Sequence, residues 1–366
     1  MSESLASAVL RIGRAQGRVL SLFEFWPDWA VYTPVVMLWI GLGLRYRDFS
    51  LPSAANPGIL TGGLCGESKT AVLDLAGEHA RGLVARWTSM VVTGEPAADA
   101  ARAYDVAEQA GLAFPLVVKP DIGCNGTGVR LVERAADLAR QLTGYPAGSG
   151  LMLQALVPWE GEAGLFYVRA PGESRGRITS LTLKSAPHVV GDGRSNLREL
   201  VLADPRAGQV PEIYLPRLGA QQEKVPKQGE RVRLVFSGNH CKGSIFRDGR
   251  ADITPALEAA VDAFAQDLRD FHFGRIDVRY ENLAALRRGE GFTVIEVNGV
   301  GSEATHIWDP ETTLREAYSA QFWHYAAAFR IGAAMRKRGH KTAGVGGMLR
   351  AWLEQRRLLA AYPMND

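Results

Sequence analysis

The chain is poor in cysteine, in long uncharged runs and in net charge. Its three cysteines, Cys65, Cys124 and Cys241, are odd in number and far apart in 366 residues. That excludes a disulfide framework, shows no metal-ligand spacing and fits a reducing, cytoplasmic compartment. The uncharged run "WAVYTPVVMLWIGLGL", Trp29 to Leu44, is broken by Pro34 and falls short of the roughly 20 residues that span a bilayer. It reads as buried core or as a segment lying at an interface. A formal net charge of +3 is too small to name a partner. No module that reads nucleic acid is recognisable, so nucleic acid is not expected as a partner. Internal repeats and low-complexity segments are absent as well. The stretch "MSESLASAVLRIGRAQGRVL" has an early acid and scattered arginines, so it is not expected to act as a signal peptide.

A phosphate loop is also missing. "GGLCGESKTAVLDLA", Gly62 to Ala76, resembles one, but the pattern needs Gly directly before Lys, so that the last loop amide and the ammonium converge on one phosphate. Here Glu67 and Ser68 separate Gly66 from Lys69. Any nucleotide site must be sought elsewhere.

The chain has the length and the 46% hydrophobic composition for two or three domains with a sizeable core. The first 105 residues read as one unit, with a helix expected from about Ser68 to Thr88. From 106 to 330, strands and helices alternate in a mixed α+β pattern. "FPLVVKP", "VRLV", "FGRIDVRY" and "FTVIEVN" read as strands, and Thr254 with Pro255 marks a helix start. Residues 331–366 form a basic, helical tail: eight Lys or Arg residues face one acid, Glu354, between Arg330 and Arg357. Three of the eight tryptophans, Trp26, Trp29 and Trp39, lie in or just before the uncharged run. Core packing and a solvated helix explain both segments; the sharper alternative is peripheral contact with a membrane.

Chemistry concentrates on the late strands. Alternation puts Arg275 and Asp277 on one face of "RIDV", and Glu296 and Asn298 on one face of "VIEVN". If the two strands pair, two carboxylates and an amide oxygen converge, a hard donor set suited to Mg²⁺ completed by substrate phosphates. A solvated face neutralised by Arg275 and Arg279 is the plainer reading. In "VVKPDIGCNGTGV" a strand delivers Lys119 and a loop follows with Gly123, Gly126 and Gly128, whose backbone can approach an anion closely. Another strand ends at Lys184, a compact charge for phosphate.

In that order and spacing, these elements resemble the ATP-grasp superfamily over roughly Phe114 to Pro310. "VVGDGRSNLREL" and "QGERVRLVFSGNHCKGSIFRDGRADIT" are similar to segments of cyanophycin synthetases and bifunctional glutathione synthetases. "GRIDVR" and "IEVNGVGSEATH" are similar to the metal strands of D-alanine-D-alanine ligases. The resemblance implies an ATP-grasp fold, with nucleotide between two α+β subdomains and a separate N-terminal domain. It implies an ATP- and Mg²⁺-dependent ligase that joins a small-molecule carboxylate to an amine through an acyl phosphate. Lys119 and Lys184 would hold ATP phosphates under the Gly123–Gly128 loop, and Gln154 to Leu156 would run beside the adenine. Either Glu160 or Glu162 would take the ribose. Asp277, Glu296 and Asn298 would bind one or two Mg²⁺, and Arg275 would stabilise the oxyanion at the reacting carbonyl. A module that binds ATP for signalling, a kinase and a thioester-forming ligase are the alternatives.

One departure bears on substrate. After Asn298 those ligases continue with a serine-proline-glycine loop, whereas "GVGSEATHIWDP" has Glu303 there, which suits an amine-bearing acceptor. On the N-terminal side Glu67, Ser68 and Lys69 open a helix, an arrangement that can meet a substrate amine and carboxylate. The plainer readings are a helix cap and an acid paired with an arginine.

Overall fold

The computed structural model describes residues 19–363 apart from 22, 25, 237, 240 and 241, so Cys241 and most of the N-terminal stretch lie outside the described residues. The uncharged run forms α1 (Asp28–Tyr46), which buries Val31, Val35 and Gly43 and packs on α10 (Leu314–Lys337). No helix among the described residues is long and apolar enough to cross a membrane. Two 3-10 turns follow, Leu51–Ala54 and Leu60–Gly63. The glycines of "TGG" serve close backbone packing. Val300 N and Gly301 N donate to the Gly62 and Gly63 carbonyls at 3.1 and 2.6 Å, and a side chain at Gly63 would sit 2.6 Å from Gly299 Cα.

The helix expected from Ser68 to Thr88 is instead two short ones, α2 (Lys69–Leu73) and α3 (Glu78–Leu83), followed by β1 (Trp87–Val91). The interruption comes from far along the chain. Asp267 accepts from Ala80 N at 2.8 Å and its carbonyl accepts from Gly77 N at 2.8 Å, which starts a new helix there. Trp87 to Val91 then pairs with β4 (Gly150–Ala155) rather than continuing the helix.

The smaller sheet has the order β1-β4-β2-β3, with β2 (Leu116–Pro120) and β3 (Arg130–Val132) joined by the glycine loop. Every residue of β2 is buried, because the sheet is covered by α4 (Pro96–Gln109), through Ala103 and Ala107, and by Leu138 and Leu142 of α5 (Leu138–Leu142). Thus β1 and most of α4, which belong to the first 105 residues, share a core with this sheet.

The larger sheet is antiparallel, in the order β11-β10-β5-β6-β9, from β5 (Gly161–Val168), β6 (Arg177–Ser185), β9 (Ile245–Asp248), β10 (Phe273–Tyr280) and β11 (Phe292–Asn298). One face packs on α8 (Pro255–Gln266), which starts as expected: Thr254 accepts from Leu257 N and Pro255 holds the first position. The connection from β6 to β9 carries β7 (His188–Val190), α6 (Leu197–Ala203), α7 (Pro211–Leu218) and β8 (Arg231–Arg233) around a core of its own. The basic segment divides between the end of α10 and α11 (Gly344–Ala361). Residues Leu358, Leu359 and Tyr362 pack on the small-sheet core.

Asn56 ties the N-terminal turns to β10. Fully buried, it donates to the Gly62 and Phe273 carbonyls at 3.0 and 2.8 Å and accepts from His272 N and Phe273 N at 2.9 and 3.1 Å. Asn56→Ala takes this partner from the His272 and Phe273 amides and the Phe273 carbonyl, leaves the Gly62 carbonyl only Val300 N, and should destabilise the fold by about 3 kcal/mol, read as a lowered urea midpoint at unchanged m-value.

Candidate functional site

A cleft of about 460 Å³ lies between the two sheets, lined from the small sheet by Lys119, Gln154 and Leu156 and from the large sheet by Glu162, Lys184, Asp277 and Glu296. Its floor is set by strand register. β10 and β11 are antiparallel, with Asp277 opposite Glu296 and Arg275 opposite Asn298, so directly opposed residues present their side chains to one face. Asn298 Nδ2 donates to Asp277 at 3.1 Å. The expected convergence of Asp277, Glu296 and Asn298 is therefore present.

The carboxylates are buried and held ionised by cations. Burial would raise the Asp277 pKa, but the Arg275 and Lys184 charges outweigh it and bring it down to about 2. Arg275 grips Asp277 with Nε and Nη2 at 3.0 Å, while Lys184 Nζ lies 2.8 Å from the same carboxylate and 3.3 Å from Glu162. Glu296 likewise stays below the ordinary carboxylate range: burial opposes its charge, and Lys69 and Lys119 outweigh burial. Among the described residues no three or more His, Cys, Asp or Glu form a metal-holding cluster. The two ionised carboxylates, and the Asn298 amide if turned so that its oxygen rather than its nitrogen faces Asp277, are the donors that could hold Mg²⁺.

Lys119 differs from the other cations. Its buried ammonium donates to neutral acceptors, Gln154 Oε1 at 2.7 Å and the Ile295 carbonyl at 3.4 Å. Burial depresses its pKa. It faces the loop after β2, where Gly123, Cys124, Asn125 and Gly126 line the cleft and Asn125 and Gly126 have φ of 54° and 68°. Gly128 does not line the cleft. It sits against Pro120, where a Cβ would meet Pro120 Cγ at 2.8 Å, so its role is loop geometry. Glu160 is exposed and outside the cleft, whereas Glu162 is buried in its wall, 3.3 Å from Arg279.

The start of α2 meets this loop. Ser68 caps α2 by accepting from Ala71 N at 3.0 Å and does not line the cleft. Lys69, read from sequence as a group for a substrate carboxylate, instead reaches Glu296 at 3.2 Å and donates to the Gly123 carbonyl at 3.0 Å. Burial disfavours its charge, but Glu296 and Glu67 outweigh this and raise its pKa. Glu67 lines the cleft with Oε2 buried and unpartnered, and burial raises its pKa. Glu303 lines it too; its carboxylate accepts from Gln321 Nε2 at 2.8 Å, and Arg275 reaches only its backbone carbonyl. Tyr32, Tyr325 and Gln355 complete this end of the cleft. Nothing local in the sequence marks these three, which arrive from three separate helices.

No protein-family model and no curated protein matches the chain. Solved structures do. A bifunctional glutathione synthetase of Pasteurella multocida is similar at 17% identity and a TM-score of 0.34, over 69% of this chain and 35% of that one. VanG D-Ala:D-Ser ligase of Enterococcus faecalis is similar at 14% identity and a TM-score of 0.41, over 72% of this chain and 61% of that one. A D-alanine-D-alanine ligase of Bacillus anthracis is similar at 14% identity and a TM-score of 0.37, over 77% of this chain and 70% of that one. The chain thus spans about a third of the first and three-fifths of the second.

The two strand lysines should separate in a stability experiment. Lys184→Met leaves Glu162 and Asp277 short of a cation and should lower stability by about 3 kcal/mol. Lys119→Met removes an ammonium with no carboxylate at ion-pair distance among the described residues and leaves Glu296 its direct partner Lys69, so the urea midpoint should move much less than in Lys184→Met.

Proposed function

We propose that the chain is an ATP-dependent ligase that activates a carboxylate as an acyl phosphate and joins it to an amine, releasing ADP and phosphate. The observation that carries this reading is Lys119: a buried ammonium with neutral acceptors, beside a glycine loop and above two ionised carboxylates. An excess cation in such a place is matched by a phosphate chain, and the carboxylates by the metal that accompanies it. Phosphoryl transfer asks chiefly for position and charge neutralisation, which these groups supply.

On this reading Lys119 and Lys184 bind phosphates under the amides of the Gly123–Gly126 loop. Gln154 to Leu156 border the adenine, and Glu162 rather than Glu160 meets the ribose. Asp277, Glu296 and Asn298 hold Mg²⁺, which when bound neutralises charge on the transferring phosphoryl group. Lys69 fixes Glu296 against the phosphate loop. The substrate carboxylate oxygen takes the γ-phosphoryl group, and the amine nitrogen then attacks the acyl carbon, where Arg275 offsets the developing oxyanion. The carbon–oxygen bond to phosphate breaks and the nitrogen loses a proton. Glu67, unpartnered at Oε2 and with a raised pKa, is suited to receive that proton. Glu303 gives the acceptor end a second acid for an amine-bearing substrate.

The test is mass spectrometry of a metabolite extract incubated with Mg-ATP and enzyme, with Glu296→Gln in parallel. A species at the mass of two metabolites less water, matched by ADP and reduced at least about a hundredfold in the variant, is expected. ADP matched instead by a phosphorylated metabolite would make the protein a kinase and overturn the reading.

A further inference from the structure

Two helices expose apolar side chains that the fold leaves uncovered. On α1, at 100° per residue, Val31, Val35 and Trp39 face the protein, while Trp29, Val36, Met37, Ile40 and Leu44 fall on the opposite side. Trp29 is 75%, Met37 62% and Leu44 64% exposed. On α11, Gln355 faces inward, and Val345, Leu349, Trp352 and Leu353 form an outward stripe, each more than two-fifths exposed. Arg336, at the end of α10, reaches Asp48 and the Tyr46 carbonyl at 3.3 and 3.5 Å, and Ala343 N, just before α11, donates to Ser53 Oγ at 2.8 Å, so the start of α11 lies against the turn that follows α1. Leu60, 60% exposed, lies on the turn that packs against α11.

The surroundings of the α11 stripe are cationic. Lys337, Arg338, Lys341, Arg350, Arg356 and Arg357 lie on α11 or just before it, and the acid among them, Glu354, is paired with Arg357 at 3.0 Å. Arg356 stacks on Trp352, its guanidinium 4.8 Å from the ring centre. A twofold contact with a second copy would bring this patch against itself, cation on cation. Nucleic acid would satisfy the charge but not the apolar stripes. An anionic lipid surface satisfies both: headgroups meet the arginines, and Trp, Leu, Met and Ile enter the acyl boundary.

We propose that α1 and α11 together dock the protein on an anionic bilayer, lying in the interface without crossing it. The same helices supply Tyr32 and Gln355 to the lining of the cleft. The proposal does not depend on the reaction assigned to the cleft.

Co-sedimentation of the full chain with vesicles of phosphatidylglycerol and phosphatidylcholine, against phosphatidylcholine alone, is the experiment. Binding is expected to the mixed vesicles at low salt, with a blue shift of tryptophan emission, and to be lost at high salt. Trp29→Ser with Met37→Ser, and separately Arg350→Glu with Arg357→Glu, should each weaken binding about tenfold. Unchanged circular dichroism and urea midpoint would show that these surface variants fold. No binding to mixed vesicles, or binding that neither pair weakens, would overturn the proposal. So would a dimer in sedimentation equilibrium that the Trp29/Met37 pair dissolves, since it would give the face to a second copy.

Discussion

The structure depends on a buried lattice of charge between its two sheets. Asp277 is held by Arg275 and Lys184, Glu162 by Lys184 and Arg279, and Glu296 by Lys69. Burying any one of these groups alone costs several kcal/mol, so each must bring its partner into place. That requirement fixes the register of β5, β6, β10 and β11, because Glu162 stands opposite both Lys184 and Arg279, and Asp277 opposite Glu296. It also draws the start of α2 onto the glycine loop after β2 through Lys69. Such a lattice is a poor choice for stability alone, since apolar side chains would fill the same volume without the desolvation cost. Its presence is best understood as preorganisation for a charged ligand.

How far the sequence discloses this follows from what is local. The facing of Asp277, Glu296 and Asn298 on β10 and β11 is legible because period-two alternation alone decides which residues share a face, and pairing needs only that the two strands be neighbours. Lys119 is legible for the same reason. The cap at Ser68 is legible too, but the helix break is not: the residue that starts the next helix, Asp267, lies 187 residues beyond the Ala80 amide it accepts from. Hence α2, α3 and β1 read as one helix. The choice between Glu160 and Glu162 is likewise invisible before register is known. One residue lies before β5 and the other within it, opposite Lys184.

The part of the cleft around Glu67 and Glu303 is the least legible. Glu303 and Glu67 stand out as departures from a motif or as acids beside glycines, yet Tyr32, Tyr325 and Gln355 come from helices whose sequences look like ordinary packing. Asn56 is a similar case. A lone asparagine in a Pro/Asn/Gly-rich connection reads as a turn, whereas its amide bonds four backbone groups between the N-terminal turns and β10. Nonlocal polar bonds of this kind carry no periodicity for a sequence to display.

The terminal helix links these parts. Gln355 accepts from Gly66 N at 3.3 Å, Cys65 Sγ lies 3.5 Å from the Met348 carbonyl, and Tyr362 donates to the Ile122 carbonyl at 2.9 Å. One helix thereby touches the loop that bears Glu67 and the residue just before Gly123, and Tyr362 reaches the small-sheet core. The inward face of α11 is spent on these contacts, which is why its remaining apolar side chains are left outside. The basic segment is thus part of the site's frame, bonded to residues that flank Glu67 and Gly123.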